Sequence, residues 1–250
     1  DGTHIPLRIQ SAVGLTSLYA VSTIKKNVLG RLKDFNKRIN WFENYRKSNG
    51  RYWPNEERSD SDEILLSIVP KEKLIAILKR LLDENEFLSE GGIRALSKYH
   101  ESNPYSVEIE GHIYSIKYDP GDSTSDMFGG NSNWRGPVWM PLNFLIIQSI
   151  RRFGKFYGDG LQVEYPKGSG NILNLEQIAK QLTKRVFDLF YLDELDERRC
   201  YEKYNWFYKQ KENRHLVSFY EYFHGDSGKG LGASHQTGWT ALIAHLLQDL

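Results

Sequence analysis

The stretch WRGPVWMPLNFLIIQSIRRFGKF, residues 134–156, decides the class of the fold. From Val138 onward its residues are apolar nearly all round a helix, which predicts a buried helix over 138–156. Pro137 fits the first turn of such a helix. The residues ahead of it end a long loop, 119–137, and a loop of this length in a compact domain usually carries function.

Helical patterns also stand on both sides of this stretch. Apolar residues recur at helical spacing over 13–24, 32–45, 71–83, 175–192 and 240–250. Residues 105–118 instead alternate in character around Gly111, which predicts a minor β-hairpin. Five or six long helices joined by glycine-rich loops predict a mainly α fold, with helical hairpins packed in a ring or bundle and functional loops at one end.

Composition and charge narrow the possible partners and compartments. The 250 residues carry a formal net charge of +1, so neither nucleic acid nor an anionic membrane is expected as partner. The most apolar run, 138–147, is too short to span a bilayer. A single cysteine, Cys200, excludes an intrachain disulfide framework, and no Asn-x-Ser/Thr acceptor occurs. Both features favour a cytoplasmic location, and the oligomeric state is left open.

The segment FYEYFHGDSGKGLGASHQTGW, residues 219–239, holds the leading candidate for chemistry. Glu221 stands in a block of four aromatic residues, where a carboxylate is costly unless it is hydrogen-bonded or needed for a reaction. It fits a general acid or base, but composition alone favours a structural carboxylate paired with a nearby lysine or arginine.

The sequence WRGPVW forms a second cluster. Trp134, Arg135 and Trp139 offer aromatic faces and a guanidinium to a sugar, or they pack at the start of a helix. His224 and His235 lack a third ligand at a useful spacing, so no metal is expected, and His235 is expected to orient its loop. No motif of a serine hydrolase, zinc protease or nucleotide-binding enzyme occurs. A glycosidase, which needs carboxylates and aromatics and no cofactor, fits best.

Three motifs together carry a family resemblance. The sequences FLSEGGIRALSKYH, WRGPVWMPLNFLII and YEYFHGDSGKGLGASHQTGW, in this order, resemble the inverting glycoside hydrolases of family 63. That family includes the processing α-glucosidase and bacterial mannosylglycerate-hydrolase-like enzymes, and the details favour the microbial branch. The resemblance implies part of an (α/α)6 toroid, in which residues 1–250 form the C-terminal portion of one catalytic domain and the N-terminal portion is absent.

The same resemblance implies a site and a reaction. Glu221 would be the general base that activates water for hydrolysis of an α-glucosidic or α-mannosidic bond with inversion. The substrate-binding residues would be Trp134, Arg135, Gly136, Trp139, Tyr222, His235 and Trp239. The general acid would be an aspartate upstream of Asp1, so this portion alone is expected to be inactive. The alternatives are an N-glycan-processing mannosyl-oligosaccharide glucosidase and, from another class, a non-catalytic helical carbohydrate-binding module.

Overall fold

Helices are the main elements of the computed structural model, which describes residues 4, 6–50, 55–57, 62–127, 130 and 132–249. Within these ranges four α-helices exceed ten residues. The helices are α1 Lys26–Arg31, α2 Lys33–Ser48, α3 Lys71–Leu81, α4 Met140–Tyr157, α5 Leu175–Phe187, α6 Asn205–Tyr208, α7 Thr237–Thr240 and α8 Leu242–Leu246.

The strands are short and pair locally. They are β1 Val21–Lys25, β2 Asn55–Glu57, β3 Glu63–Ser67, β4 Leu88–Ser89, β5 Gly92–Ile93, β6 Tyr105–Ile109, β7 His112–Ile116, β8 Gln162–Glu164, β9 Ile172–Asn174, β10 Tyr222–Phe223 and β11 Gly230–Leu231. β1, β3 and β2 form one antiparallel sheet in that order, and the other strands form two-stranded antiparallel pairs. The predicted mainly α class is therefore confirmed.

The hairpin predicted near 105–118 is also confirmed. β6 and β7 pair in antiparallel register, with Tyr105 opposite Ile116 at one end and Ile109 opposite His112 at the turn. The two turn residues, Glu110 and Gly111, both have positive φ, at 51° and 77°. Such a turn matches the twist of the strands that it joins.

Helix α4 lies at the centre of the core, as the sequence predicts. Most of its residues are buried, and it packs along α5 so closely that a Cβ at Gly154 would lie 2.9 Å from Glu176. The buried amide inside it, Asn143, exchanges two hydrogen bonds with the backbone of Ile93, at 2.7 and 3.0 Å. Asn143 therefore ties α4 to the segment 87–100. No helix of the described ranges is long and apolar enough to cross a membrane.

Two helical predictions are wrong in part. Residues 13–24 do not form one helix: a 3-10 segment, Ala12–Tyr19, is followed by β1, which pairs with β3. The β-branched run from Val21 to Ile24 suits a strand, and pairing with the apolar β3 overrides the helical spacing. The helix predicted over 240–250 is likewise not continuous: its described residues, 240–249, form the end of α7, then α8 and a 3-10 segment, Leu247–Asp249. These two segments explain why four long helices are found instead of five or six.

Candidate active site

Three distant segments meet at the start of α4. Val138 exchanges two backbone hydrogen bonds with Phe223, at 2.8 and 2.9 Å, and forms a bridge with Arg94 on its other side. One residue earlier, the Pro137 carbonyl accepts from the Ala95 N–H at 2.9 Å. These pairings keep Val138 extended, so α4 begins at Met140 instead of the predicted 138. The predicted functional loops are therefore anchored at one end of the core helix.

Two glycines let these loops touch. A Cβ at Gly136 would lie 2.8 Å from both the Asp119 carbonyl oxygen and the Tyr118 ring, and one at Gly225 would lie 2.5 Å from the Gly136 carbonyl oxygen. The space beside Gly136, which the resemblance assigns to substrate binding, is thus filled by the Asp119 backbone and the Tyr118 ring. Gly136 and Gly225 serve contact between loops in this structure.

Four of the predicted substrate-binding residues form one aromatic cluster. Trp139 stacks between Trp134 and Tyr222. The ring centroids of Trp139 and Trp134 are 4.0 Å apart with an interplanar angle of 3°, and those of Trp139 and Tyr222 are 4.7 Å apart with an angle of 23°. Trp239 packs edge-on against Trp139 at 5.6 Å. Trp139 is 1% exposed and donates its indole N–H to the Asn133 carbonyl at 3.0 Å, whereas Trp134 is 41% exposed. Trp134 therefore offers a free surface, and the buried Trp139 and Tyr222 support it.

Glu221 is half-buried and held by two donors from different loops. Its Oε1 accepts from the Ser132 hydroxyl at 2.8 Å, and its Oε2 accepts from the Ala233 N–H at 3.0 Å. Gly232 has a φ of +69°, and a Cβ there would lie 2.6 Å from Glu221 Oε2. The predicted structural ion pair is not what holds this carboxylate in the described residues. Ser132 was not predicted, although its place two residues before Trp134 in the long loop is a signal that could have found it.

Arg135 is almost fully buried and faces the loop 119–125. Its guanidinium pairs with the Asp119 carboxylate at 3.2 Å and donates to the Ser125 hydroxyl at 2.7 Å. Its Nε donates to Asn133 Oδ1 at 3.3 Å. The structure therefore uses Arg135 to fix this loop beside Trp134, which is a different contact from the predicted one with a sugar.

His235 lies at the edge of the site. It is exposed. Its Nδ1 accepts a hydrogen bond from the Phe219 N–H at 3.4 Å, and Phe219 stands at the other end of the loop that carries Glu221 and its partner Ala233. This contact joins the two ends of the loop, as expected for a residue that orients it.

Sequence reasoning missed an ionic cluster at Asp226, which is half-buried and pairs with the buried Arg94. Its Oδ1 receives hydrogen bonds from Arg94 at 2.9 Å, Tyr118 at 3.0 Å and Lys98 at 3.4 Å. Burial opposes ionisation of Asp226, but the hydrogen bonds and charges of Arg94, Tyr118 and Lys98 together outweigh it and lower the pKa of this carboxyl. Arg94 is 5% exposed and also donates to the Leu88 carbonyl. An arginine inside the apolar run GGIRAL is a signal for a buried partner that the sequence analysis did not use.

A neighbouring histidine completes this turn. The Nδ1 of His224 accepts from the N–H groups of Asp226 and Ser227, each at 3.2 Å. Burial lowers the pKa of His224, which favours the neutral ring that such an acceptor needs. The turn that follows β10 is therefore fixed by both the ionic cluster and this ring.

The arrangement holds one carboxylate that is able to accept a proton. A carboxylate held by two hydrogen bonds keeps lone pairs with which it can take a proton from water. The exposed Trp134 stands close by in the fold, because Ser132 binds Glu221 while Tyr222 stacks beneath Trp139. An apolar cavity of about 550 Å³ opens beside Trp134.

Comparison with known proteins gives three relatives. An uncharacterised protein of Saccharomyces cerevisiae is 47% identical over 254 residues, covering 100% of this chain and 23% of its own length. A probable mannosyl-oligosaccharide glucosidase of Schizosaccharomyces pombe is 24% identical and covers 74% of this chain and 17% of its own length. The mannosyl-oligosaccharide glucosidase of S. cerevisiae is 24% identical and covers 73% and 16%. The chain thus spans less than a quarter of the length of the curated relatives that it matches.

The family match covers most of the chain. Residues 21–240 match the family described as the mannosylglycerate hydrolase MGH1-like glycoside hydrolase domain. The matched range contains Trp134, Glu221 and the junction at Val138. The chain therefore belongs to the MGH1-like family of glycoside hydrolase domains.

Proposed function

We propose that this chain is part of an inverting α-glycoside hydrolase in which Glu221 is the general base. The observation that carries the proposal is the half-buried Glu221 carboxylate, held by Ser132 and Ala233 next to an aromatic stack with one exposed tryptophan. Residues 1–250 would form the C-terminal portion of a single (α/α)6 catalytic domain.

The proposed reaction divides the work between two carboxyl groups. Glu221 takes a proton from the water that attacks the anomeric carbon, while an aspartic acid outside the matched motifs protonates the leaving oxygen. Inverting enzymes hold the two groups about 6.5–9.5 Å apart, which leaves room for that water. Trp134 would stack on the sugar ring, with Trp139, Tyr222 and Trp239 as its support. Arg135, Gly136 and His235 would act by fixing the loops around it.

The family description and the relatives support an α-linked sugar as substrate. The family is described by mannosylglycerate hydrolase, and two relatives carry the name mannosyl-oligosaccharide glucosidase. Hydrolysis of an α-mannosidic or α-glucosidic bond fits both. The two glucosidase relatives also favour the alternative, an enzyme that trims glucose from N-glycans. A cytoplasmic location remains a prediction, and it would favour the small-substrate version.

Glu221→Gln in the full-length protein tests the base. We expect the rate of hydrolysis to fall on the order of 10²–10⁴-fold, with sugar binding retained, since glutamine keeps the shape but does not accept the proton. Glu212→Gln, at an exposed position, is the control and should leave the rate unchanged.

Product stereochemistry tests inversion. Proton NMR in the first minutes of the reaction should show the β-anomer of the released sugar from an α-linked substrate. Unchanged turnover in Glu221→Gln would refute the base, and early appearance of the α-anomer would refute inversion. A wild-type protein that binds sugars without hydrolysing any would favour the carbohydrate-binding module instead.

A further inference from the structure

A second cavity lies against the loop that carries Glu221. Its volume is about 460 Å³, within the ~300–1,000 Å³ typical of ligand sites. Its walls include Asp122, Trp206, Phe207, Lys229 and Gly232. It shares no lining residue with the cavity beside Trp134, so the two are separate surfaces.

The aromatic side of this cavity is exposed. Trp206 is 64% exposed, Phe207 38% and Tyr204 46%. Large aromatic side chains grouped at the surface around a concavity mark binding sites more often than isolated ones do. Trp206 and Phe207 stand edge to face, with ring centroids 6.0 Å apart, so the cavity has two differently oriented aromatic surfaces.

The short helix that presents these rings is firmly anchored. The buried Asn205 accepts from the Arg198 N–H at 2.9 Å and donates to the Glu202 carbonyl at 3.0 Å. Tyr208 stacks on Tyr201 with centroids 3.5 Å apart and bonds Ser218 through its hydroxyl. A ligand therefore meets rings on a fixed backbone, which lowers the entropy lost on binding.

The charges around the cavity favour a neutral ligand. Among the described residues nothing pairs with the Asp122 carboxylate, whose loop is fixed by Asn133 through the Gly121 carbonyl at 2.9 Å. The Lys229 ammonium lies 3.4 Å from Glu202 and is already compensated. An anionic leaving group such as glycerate would meet a free carboxylate and a paired cation. The hydroxyls of a neutral sugar can instead donate to Asp122 while the ring stacks on an aromatic face.

One wall of the cavity, at Gly232, lies beside the proposed base. Gly232 lines it, and its Cα carries no side chain where a Cβ would come within 2.6 Å of Glu221 Oε2. Burial, followed by the charges of Asp122 and Glu221, raises the pKa of Tyr222, so both carboxylates act on the same tyrosine. The wall at Gly232 is therefore close enough to Glu221 for the second sugar of a substrate cleaved there to occupy this cavity.

We propose that the cavity bordered by Trp206, Phe207 and Asp122 is a subsite for a neutral sugar next to the one cleaved. This inference rests on the proposed function, and it assigns oligosaccharides, instead of glycosides of small acids, as the substrate class. Trp206 would stack on the second sugar, and Asp122 would accept hydrogen bonds from its hydroxyls.

Binding to an inactive background tests the subsite apart from catalysis. Calorimetry of the full-length Glu221→Gln protein with neutral α-linked gluco- and manno-trisaccharides gives the reference affinity. Adding Trp206→Ala should weaken binding on the order of 10-fold, since most of one aromatic face is lost. Trp41→Ala is the matched control, because Trp41 is 65% exposed but lies on α2, and it should leave the affinity unchanged.

Kinetics locate the effect at the second sugar. In the otherwise wild-type protein, Trp206→Ala should raise KM for α-linked disaccharides about 10-fold. It should leave kcat/KM for the α-glycosyl fluorides unchanged, because their fluoride leaving group occupies no sugar subsite. Equal trisaccharide affinity in Trp206→Ala and Trp41→Ala would overturn the subsite. A loss for mannosylglycerate without a loss for the trisaccharides would overturn its preference for neutral sugars.

These outcomes separate the subsite from the base. If Glu221→Gln still hydrolyses the disaccharides, the proposed base is wrong, while the calorimetric comparison of Trp206→Ala with Trp41→Ala still decides the subsite. If Glu221→Gln is inactive but Trp206→Ala binds like its control, only the subsite fails.

Discussion

The ionic cluster at Asp226 makes a quantitative prediction for the loop after β10. Asp226→Asn keeps the shape of the side chain but leaves the buried Arg94 without its countercharge, since the two lie 2.9 Å apart and Arg94 is 5% exposed. Breaking a buried ion pair on one side costs about 3–5 kcal/mol. The Asp226 side chain is 35% exposed and asparagine retains an acceptor, so we expect about 2 kcal/mol.

Hydrogen exchange followed by mass spectrometry measures this loss of stability locally, in the loop after β10. A loss of about 2 kcal/mol corresponds to roughly 30-fold faster exchange. The amides to follow are Phe223 and Gly225, which are bonded to the Val138 and Pro120 carbonyls.

A second ion pair provides the control. The Lys184 ammonium, on α5, lies 2.6 Å from the carboxylate of Asp188, the residue that follows this helix, and their side chains are 63% and 37% exposed. Exposed pairs four residues apart contribute about 0.3–0.5 kcal/mol, so Asp188→Asn should change exchange at its own site by little more than twofold. If Asp226→Asn speeds exchange at Phe223 and Gly225 no more than that, the cluster does not hold this loop.

Three further results are expected. Gly232 and Gly168 have φ of +69° and +87°, so Gly232→Ala and Gly168→Ala should each lower stability by about 1–2 kcal/mol. Only Gly232→Ala should also reduce kcat/KM in a hydrolase assay, because only a Cβ at Gly232 would meet Glu221. Equal activity of the two variants would contradict that contact. The pKa of Asp226 is lower in the folded protein, so its contribution to the free energy of unfolding is full above its unfolded pKa and is lost as pH falls through its folded pKa. Denaturant titrations at a series of acidic pH values should therefore show that the free energy of unfolding falls less steeply with pH in Asp226→Asn than in the wild type. Identical pH dependence in the two proteins would argue against the shift. Burial raises the pKa of Cys200 to about 12, so Ellman's reagent at pH 8 should react only after unfolding, and rapid reaction of the native protein would place the thiol at the surface.

Patterns that repeat along the chain predicted the fold well. The spacing over 71–83 gave α3 to within two residues, and the alternation around Gly111 gave both strands and the turn of the hairpin. Both are local patterns that form without a distant partner. Residues 21–24 failed because the same spacing suits a helix or a strand, and the partner β3 that decides between them lies 40 residues away.

The sequence predicted which residues belong to the candidate site better than it predicted what each of them does there. The motifs brought Trp134, Trp139, Tyr222 and Trp239 into one cluster, but no sequence pattern shows that Trp139 is covered on both faces while Trp134 is exposed. Arg135 was expected at a sugar, because the neighbours that satisfy a guanidinium lie on a loop whose path the sequence does not determine.

The bridges on either side of Val138 have a consequence for the order of folding. Arg94, Val138 and Phe223 lie 44 and 85 residues apart along the chain, so each pairing closes a long loop before it gains any contact. The entropy of such closure delays folding, and the last pairing cannot form before the ribosome has synthesised the chain as far as Phe223. We therefore expect the site to be the last part of this chain to assemble, and α4 to await Phe223 with part of its apolar surface uncovered. A chaperone that binds nascent chains would find its longest-lived target there.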